Sequence, residues 1–91
     1  MEIKRENNSL YLGSSYEKRI GELTFKIKDD DMIVDHTFVD PAFRGQGLAF
    51  KLVEEVVELA RSEMKTIIPV CPYVKKVMEE TEAFQDVLKK E

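Results

Sequence analysis

A mixed α/β (α+β) fold, an antiparallel meander followed by a helix, a parallel strand and one or more C-terminal helices, follows from three observations. Residues 9 to 15 and 19 to 40 alternate apolar and polar side chains, the period of half-buried strands. From Leu48 the period changes to that of an amphipathic helix. A short apolar run, "KTIIPV", then stands between that helix and Pro72, a residue suited to the first turn of a second helix.

Within "SLYLGSS" and "RIGELTFKIKDDDMIVDHTFVD", Leu23, Phe25 and Ile27 share one face, and Gly13 to Ser15 and Asp29 to Asp31 supply turn residues. Three or four antiparallel strands are expected there. Leu48 to Met64 places Ala49, Leu52, Val53, Val56, Val57, Ala60 and Met64 on one face and Lys51, Glu54, Glu55, Glu58 and Arg61 on the other, the pattern of a helix packed on a sheet. "KTIIPV" follows a helix and therefore returns parallel to the strand before it, as a right-handed crossover. After Pro72, Tyr73, Val74, Val77 and Met78 make the apolar stripe of the second helix, and a last helical segment is expected around Phe84 to Leu88.

The 91 residues allow one domain, 1–91, with a single modest core. Charged residues form 35% of the chain and hydrophobic ones 43%, a globular balance rather than that of a disordered chain. A net charge of -4 argues against a nucleic-acid partner, since phosphate-neutralising surfaces make such domains basic. The N-terminal "MEIKRENNSL" is too polar for a signal peptide and no run is long enough to span a bilayer, so a cytoplasmic location without a membrane partner is expected. The single cysteine, Cys71, has no internal disulfide partner. No metal site is expected.

The start of the main helix is the chemical anomaly. No Ser, Thr, Asp or Asn caps it; Arg44, Gly45, Gln46 and Gly47 stand there instead, two glycines and a cation where free amides and the helix dipole favour an acid. Glycines that admit a bulky group, exposed amides and a nearby Arg together suit a phosphate-bearing ligand. The competing reading is a tight strand-to-helix turn with a solvated Arg44. The loop is not a P-loop, because the Lys-Ser/Thr pair is missing, nor a dinucleotide fingerprint, because Phe50 stands where the third glycine belongs.

Arg44-Gly45-Gln46-Gly47-Leu48-Ala49 resembles the Gln/Arg-x-x-Gly-x-Gly/Ala signature of the GCN5-related N-acetyltransferases. The preceding "VDHTFVDPAFRG" is similar to the family's strand whose exposed backbone pairs with the pantetheine arm of acetyl-CoA. A short subfamily of about this length is resembled more fully, through His36, Thr37, Val39, Pro41, Arg44, Gly45, Gly47, Pro69, Cys71, Pro72, Tyr73 and Val74, a pattern covering most of the chain from residue 20 onward. The resemblance implies the small form of that family's fold. It also implies acetyl-CoA as cofactor, with the pyrophosphate on Arg44, Gly45, Gln46, Gly47, Leu48 and Ala49 and the pantetheine along Phe38 and Val39. Full-length members carry additional N-terminal helices that shape the acceptor pocket. Here the acceptor site is therefore expected to be open or completed by a partner, and the acceptor is an unknown amine or protein. No position inherits the carboxylate base or tyrosine acid often found in the wider family, and Tyr73, where the short subfamily tolerates Phe, is read as a packing residue.

Two residues carry the catalytic expectation. Cys71 stands after a strand and at or near a helix N-cap, where free amides lower a thiol pKa and a thiolate can accept an acetyl group; a buried structural cysteine is the alternative. His36 is the only histidine, and strands ending at Asp40 and Val70 are expected to bring it to the same sheet edge as Cys71, the pairing nucleophilic thiol chemistry requires. A structural role on the strand is its alternative. Two functions remain open: an acetyl-CoA-dependent N-acetyltransferase working directly or through Cys71, and a non-catalytic acyl-CoA-binding or protein-interaction module.

Overall fold

The alternating stretch folds into successive hairpins, and the computed structural model describes residues 2–90. Its strands are β1 (Ile3–Glu6), β2 (Ser9–Gly13), β3 (Arg19–Lys28), β4 (Asp31–Val39) and β5 (Thr66–Pro69); its α-helices are α1 (Leu48–Ser62) and α2 (Pro72–Glu80). All five strands form one sheet in the order β1-β2-β3-β4-β5. The first three pairings are antiparallel and β4 pairs with β5 in parallel, as a strand returning from a crossover helix should. β1 has no clear alternating signal: Ile3, opposite Leu12, packs against the core, and the Arg5 guanidinium lies over the Phe25 ring at 5.5 Å.

Leu10, Leu12, Leu23 and Phe25 from the sheet meet Leu52, Val53, Val56 and Val57 from α1 and Val74 and Met78 from α2 in one continuous core. α1 touches β2 through β5, and α2 touches both α1 and β4–β5, so both helices lie on one face of the sheet. The last helical segment is a 3-10 helix, Glu82–Val87, which adds Phe84 and Val87 to the core. Leu88 has already left it to bridge Ile67, and the Lys89 amide donates to Ile67 O at 2.9 Å. On the opposite face no helix lies among the described residues. Part of that face is covered by the β2–β3 loop, whose Tyr16 ring meets Tyr11 edge-on at 5.5 Å.

Two expected core positions are exposed. Ile27 is 40% exposed because the last three residues of β3 run past the helices toward the turn. Met64 is 88% exposed because α1 stops at Ser62 and Met64 adopts a left-handed φ of 57°. The amide of Met64 then reaches Arg61 O at 3.2 Å and that of Lys65 reaches Ala60 O at 2.8 Å, the paired bonds of a Schellman ending. No described helix is long and apolar enough to cross a membrane.

Two irregularities in β4 decide which side chains reach the helix-covered face and where the strand loses a neighbour. Thr24 of β3 faces His36, but the next residue, Phe25, faces Val34, so Asp35 is an extra, bulged residue. On the other side of β4, pairing with β5 ends at Val34 and Pro69. The amides of Val70 and Cys71 then both donate to Val34 O, at 2.9 and 3.0 Å, and the strands part. From Asp35 to Val39, β4 has a neighbour only in β3.

Candidate functional site

After β4 the chain makes a 3-10 turn, Pro41–Phe43, whose start is capped by Asp40: its Oδ1 accepts from the Ala42 amide at 2.9 Å. The loop into α1 is built differently. Gly45 and Gly47 have φ of 84° and 73°, the left-handed region that L side chains rarely adopt. Gly47 is the N-cap of α1, with no side-chain cap and no acid in the first turn. Intrahelical bonding begins with the Lys51 amide donating to Gly47 O at 3.1 Å, so the amides of Leu48, Ala49 and Phe50 have no partner among the described residues. A Cβ added at Gly45 or Gly47 meets no protein atom within 4 Å, so the loop is open on its outer side. Backbone conformation, not crowding within the chain, selects glycine at both positions.

Arg44 is held at this loop by its own strand: Nε donates to Val39 O at 3.2 Å. No carboxylate of a described residue lies within ion-pair distance of it. Val39, Arg44, Gly47, Leu48 and Tyr73 help to line a cavity of about 210 Å³ above the helix start, with Gly45 and Ala49 also on its wall. Gln46 is exposed and lies outside that lining. The arrangement offers an anion free amides and a guanidinium with no acidic partner among the described residues.

Tyr73, read from the sequence as a packing residue, is instead 39% exposed on the cavity wall. Partial burial raises its phenol pKa, so the hydroxyl is neutral and available to donate. The sequence signal that marks it is its place in the first turn after Pro72, at the same end of the sheet as the glycine loop.

Cys71 is the N-cap of α2, and its Sγ makes no bond to the helix amides. It is 8% exposed and lies 3.4 Å from Thr37 Oγ1, in hydrogen-bond contact across the gap where β4 and β5 part. The expected His36–Cys71 pairing is not formed. Without the bulge, His36 would follow Met32 and Val34 onto the helix-covered face, but the extra residue at Asp35 reverses every side chain beyond it. Thr37 therefore turns toward Cys71, and His36 is exposed on the open face. The same reversal sends the Phe38 side chain to the open face and leaves Val39 on the cavity wall.

The open face carries a second polar cluster that sequence patterning does not announce. Glu22, 8% exposed, accepts from Tyr16 Oη at 2.8 Å and from Arg19 Nε at 3.1 Å, and the Arg19 guanidinium sits over the Tyr16 ring at 4.0 Å. Burial pushes the Glu22 pKa up, but hydrogen bonds from Tyr16 and Ser9 and the charge of Arg19 outweigh it, and the net shift is downward. Its ionised form is thus fully partnered within the chain.

Residues 10–87 match the family model described as GCN5-related N-acetyl-transferase. A GCN5-like protein from Staphylococcus aureus, solved by NMR, shares 33% identity over 99% of this chain and 89% of its own, with a TM-score of 0.83. The ribosomal-protein-S18-alanine N-acetyltransferase of Escherichia coli shares 15% identity over 84% of this chain and 52% of its own, at a TM-score of 0.62. A Mycobacterium tuberculosis protein crystallised with CoA shares 16% identity over 89% of this chain and 64% of its own, at 0.57. With those two the likeness is one of fold, and this chain spans between half and two thirds of their length. No curated protein sequence matches it.

Proposed function

The chain belongs to the GCN5-related N-acetyltransferases, and from that membership we propose that it binds acetyl-CoA at the Arg44 to Ala49 loop and transfers the acetyl group to an amine. The observation that carries this reading is the row of unpartnered amides at Leu48, Ala49 and Phe50, set behind two left-handed glycines and beside an Arg with no acid of its own among the described residues. A pyrophosphate there supplies the acceptor oxygens that these amides lack and a negative charge for Arg44, which no carboxylate of a described residue provides. The one-sided stretch of β4 at Phe38 and Val39 offers main-chain groups to the amides of the pantetheine arm, as a sheet edge does to an added strand.

Two routes fit the residues around the gap. In direct transfer the amine attacks the acetyl carbonyl, the C–S bond breaks, the amine's proton passes to a base, and the CoA thiolate takes a proton. Tyr73, neutral on the cavity wall, supports the reading by offering that proton to the departing sulfur. In the second route the Cys71 thiolate takes the acetyl group first, CoA leaves, and the amine then attacks the cysteine thioester. Thr37 gives the thiol a polar neighbour at the gap, but His36 is on the other face and serves an amine arriving there rather than the thiol. Burial of Cys71 favours the direct route. A non-catalytic acyl-CoA-binding module is the second reading, supported by the absence of any base next to Cys71 among the described residues.

Titration with acetyl-CoA followed by amide NMR tests the reading, with the largest shifts expected from Gly45 to Phe50. Undisturbed amides there at saturating ligand overturn it. Intact mass after incubation separates the routes: one hydroxylamine-labile acetyl group lost in Cys71→Ala marks the thioester, and its absence with continuing amine acetylation leaves direct transfer. Acceptor-dependent release of CoA distinguishes either route from the binding module.

A further inference from the structure

Resting on the acetyl-transfer reading, we infer that the acceptor is a monoamine with an apolar body, an aryl- or alkylamine, taken up on the open sheet face where β4 and β5 part, and not a polyamine or a basic peptide. Two features of that face carry this. The first is apolar surface beside the chain's single histidine. His36 and Phe38, two residues apart on β4, share the open face at a separation of about 7 Å. Phe38 is 40% exposed, and Val70, directly before Cys71, is 57% exposed. A third exposed apolar side chain, Tyr73, stands at the cavity on the helix side of the same gap. An apolar group attached to an amine covers Phe38 and Val70 while its nitrogen lies within reach of the imidazole.

The second feature is that the nearby carboxylates are already occupied. Asp35 accepts from Thr24 Oγ1 at 2.6 Å and lies 3.9 Å from Lys26 Nζ. Asp40 caps the 3-10 turn through the Ala42 amide. Glu22 is held by Tyr16 and Arg19. A second ammonium shares these carboxylates with the contacts they already make, and Lys26 adds like charge to the same face. A single amine loses its charge on becoming a nucleophile and needs only one proton acceptor, which His36 supplies.

The test uses the full chain with acetyl-CoA and three acceptors, 2-phenylethylamine, spermidine and a lysine-containing peptide, with acetylated product measured by mass spectrometry. Acetyl-CoA binding is followed separately by calorimetry. The phenylethylamine kcat/KM is expected to exceed the spermidine value by about tenfold or more, the discrimination typical of an apolar contact. Val70→Asp, which places a free carboxylate on an exposed position, should lower that ratio while leaving acetyl-CoA affinity unchanged. Preference for spermidine or the peptide, or a ratio indifferent to Val70→Asp, overturns the acceptor class and leaves the cofactor reading standing. Binding of acetyl-CoA with no amine acetylated overturns it in favour of the non-catalytic module. Failure to bind acetyl-CoA at all overturns the parent reading.

Discussion

At the C-terminal end of α1, Met64 turns left-handed so that two amides reach two carbonyls, whereas at the N-terminal end Gly47 turns left-handed and leaves the first amides of the helix without partners among the described residues. The closed end costs something: a non-glycine residue in that conformation is disfavoured by about 1 kcal/mol. The open end forgoes something: a Ser or Asp cap is typically worth about 1 kcal/mol. The two ends thus differ in what they leave for a ligand: the carbonyls at the closed end are satisfied within the chain, and the amides at the open end are the ones the proposed pyrophosphate site uses. The open face holds a closed counterpart, since the buried Glu22 carboxylate is already bonded by Tyr16 and Arg19.

Gly47→Val strikes the comparison hardest. It forces a β-branched residue into a left-handed φ and fills the empty space in front of the amides, so acetyl-CoA affinity should fall about 100-fold or more by calorimetry. Wild-type affinity in this variant sinks the idea that the open end holds the ligand. Arg44→Ala removes the guanidinium and should weaken binding by roughly 1.5 to 3 kcal/mol, about one to two decades. An unchanged dissociation constant means that Arg44 serves only its bond to Val39 O.

How far these features are legible in the sequence depends on whether their cause is local. Alternation in β2, β3 and β4 and the period of α1 are local, and so is the missing cap at Gly47, because capping is a matter of which side chain stands at one position. The bulge at Asp35 is not: it exists because β3 and β4 differ by one residue between Thr24 and Phe25, and nothing in "IVDHTF" marks the extra residue. That one displacement separates His36 from Cys71. Met64 misleads for the opposite reason, since its periodic position is apolar but the helix ends first through a turn usually made by glycine. Tyr73 is legible as a helix residue and illegible as a cavity wall, because its exposure depends on how α2 docks.

Two smaller changes sharpen the contrast between the helix ends. Met64→Gly relieves the left-handed strain and should stabilise the fold by about 0.5 to 1 kcal/mol in urea denaturation, with acetyl-CoA affinity untouched. Destabilisation would show that Met64 contributes contacts its 88% exposure does not suggest. Gln46→Glu places a negative charge beside the free amides. It should stabilise the fold by about 0.3 to 1 kcal/mol through the helix dipole while weakening acetyl-CoA binding about threefold at low salt. Tighter binding in that variant contradicts an anion site at the helix start.

The parting of β4 from β5 has a counterpart in amide hydrogen exchange. Asp31–Val34 lies between two strands, and its amides should exchange only with the opening of the whole sheet. Beyond Val34 the amides facing β3 should remain slow, while those facing away should exchange at rates nearer to those of a loop. β4 is one strand by geometry and is expected to behave as two by kinetics. Saturating acetyl-CoA should slow the fast set from Thr37 to Val39 and leave the slow set unaltered, so that the exchange pattern itself reports when the gap is filled.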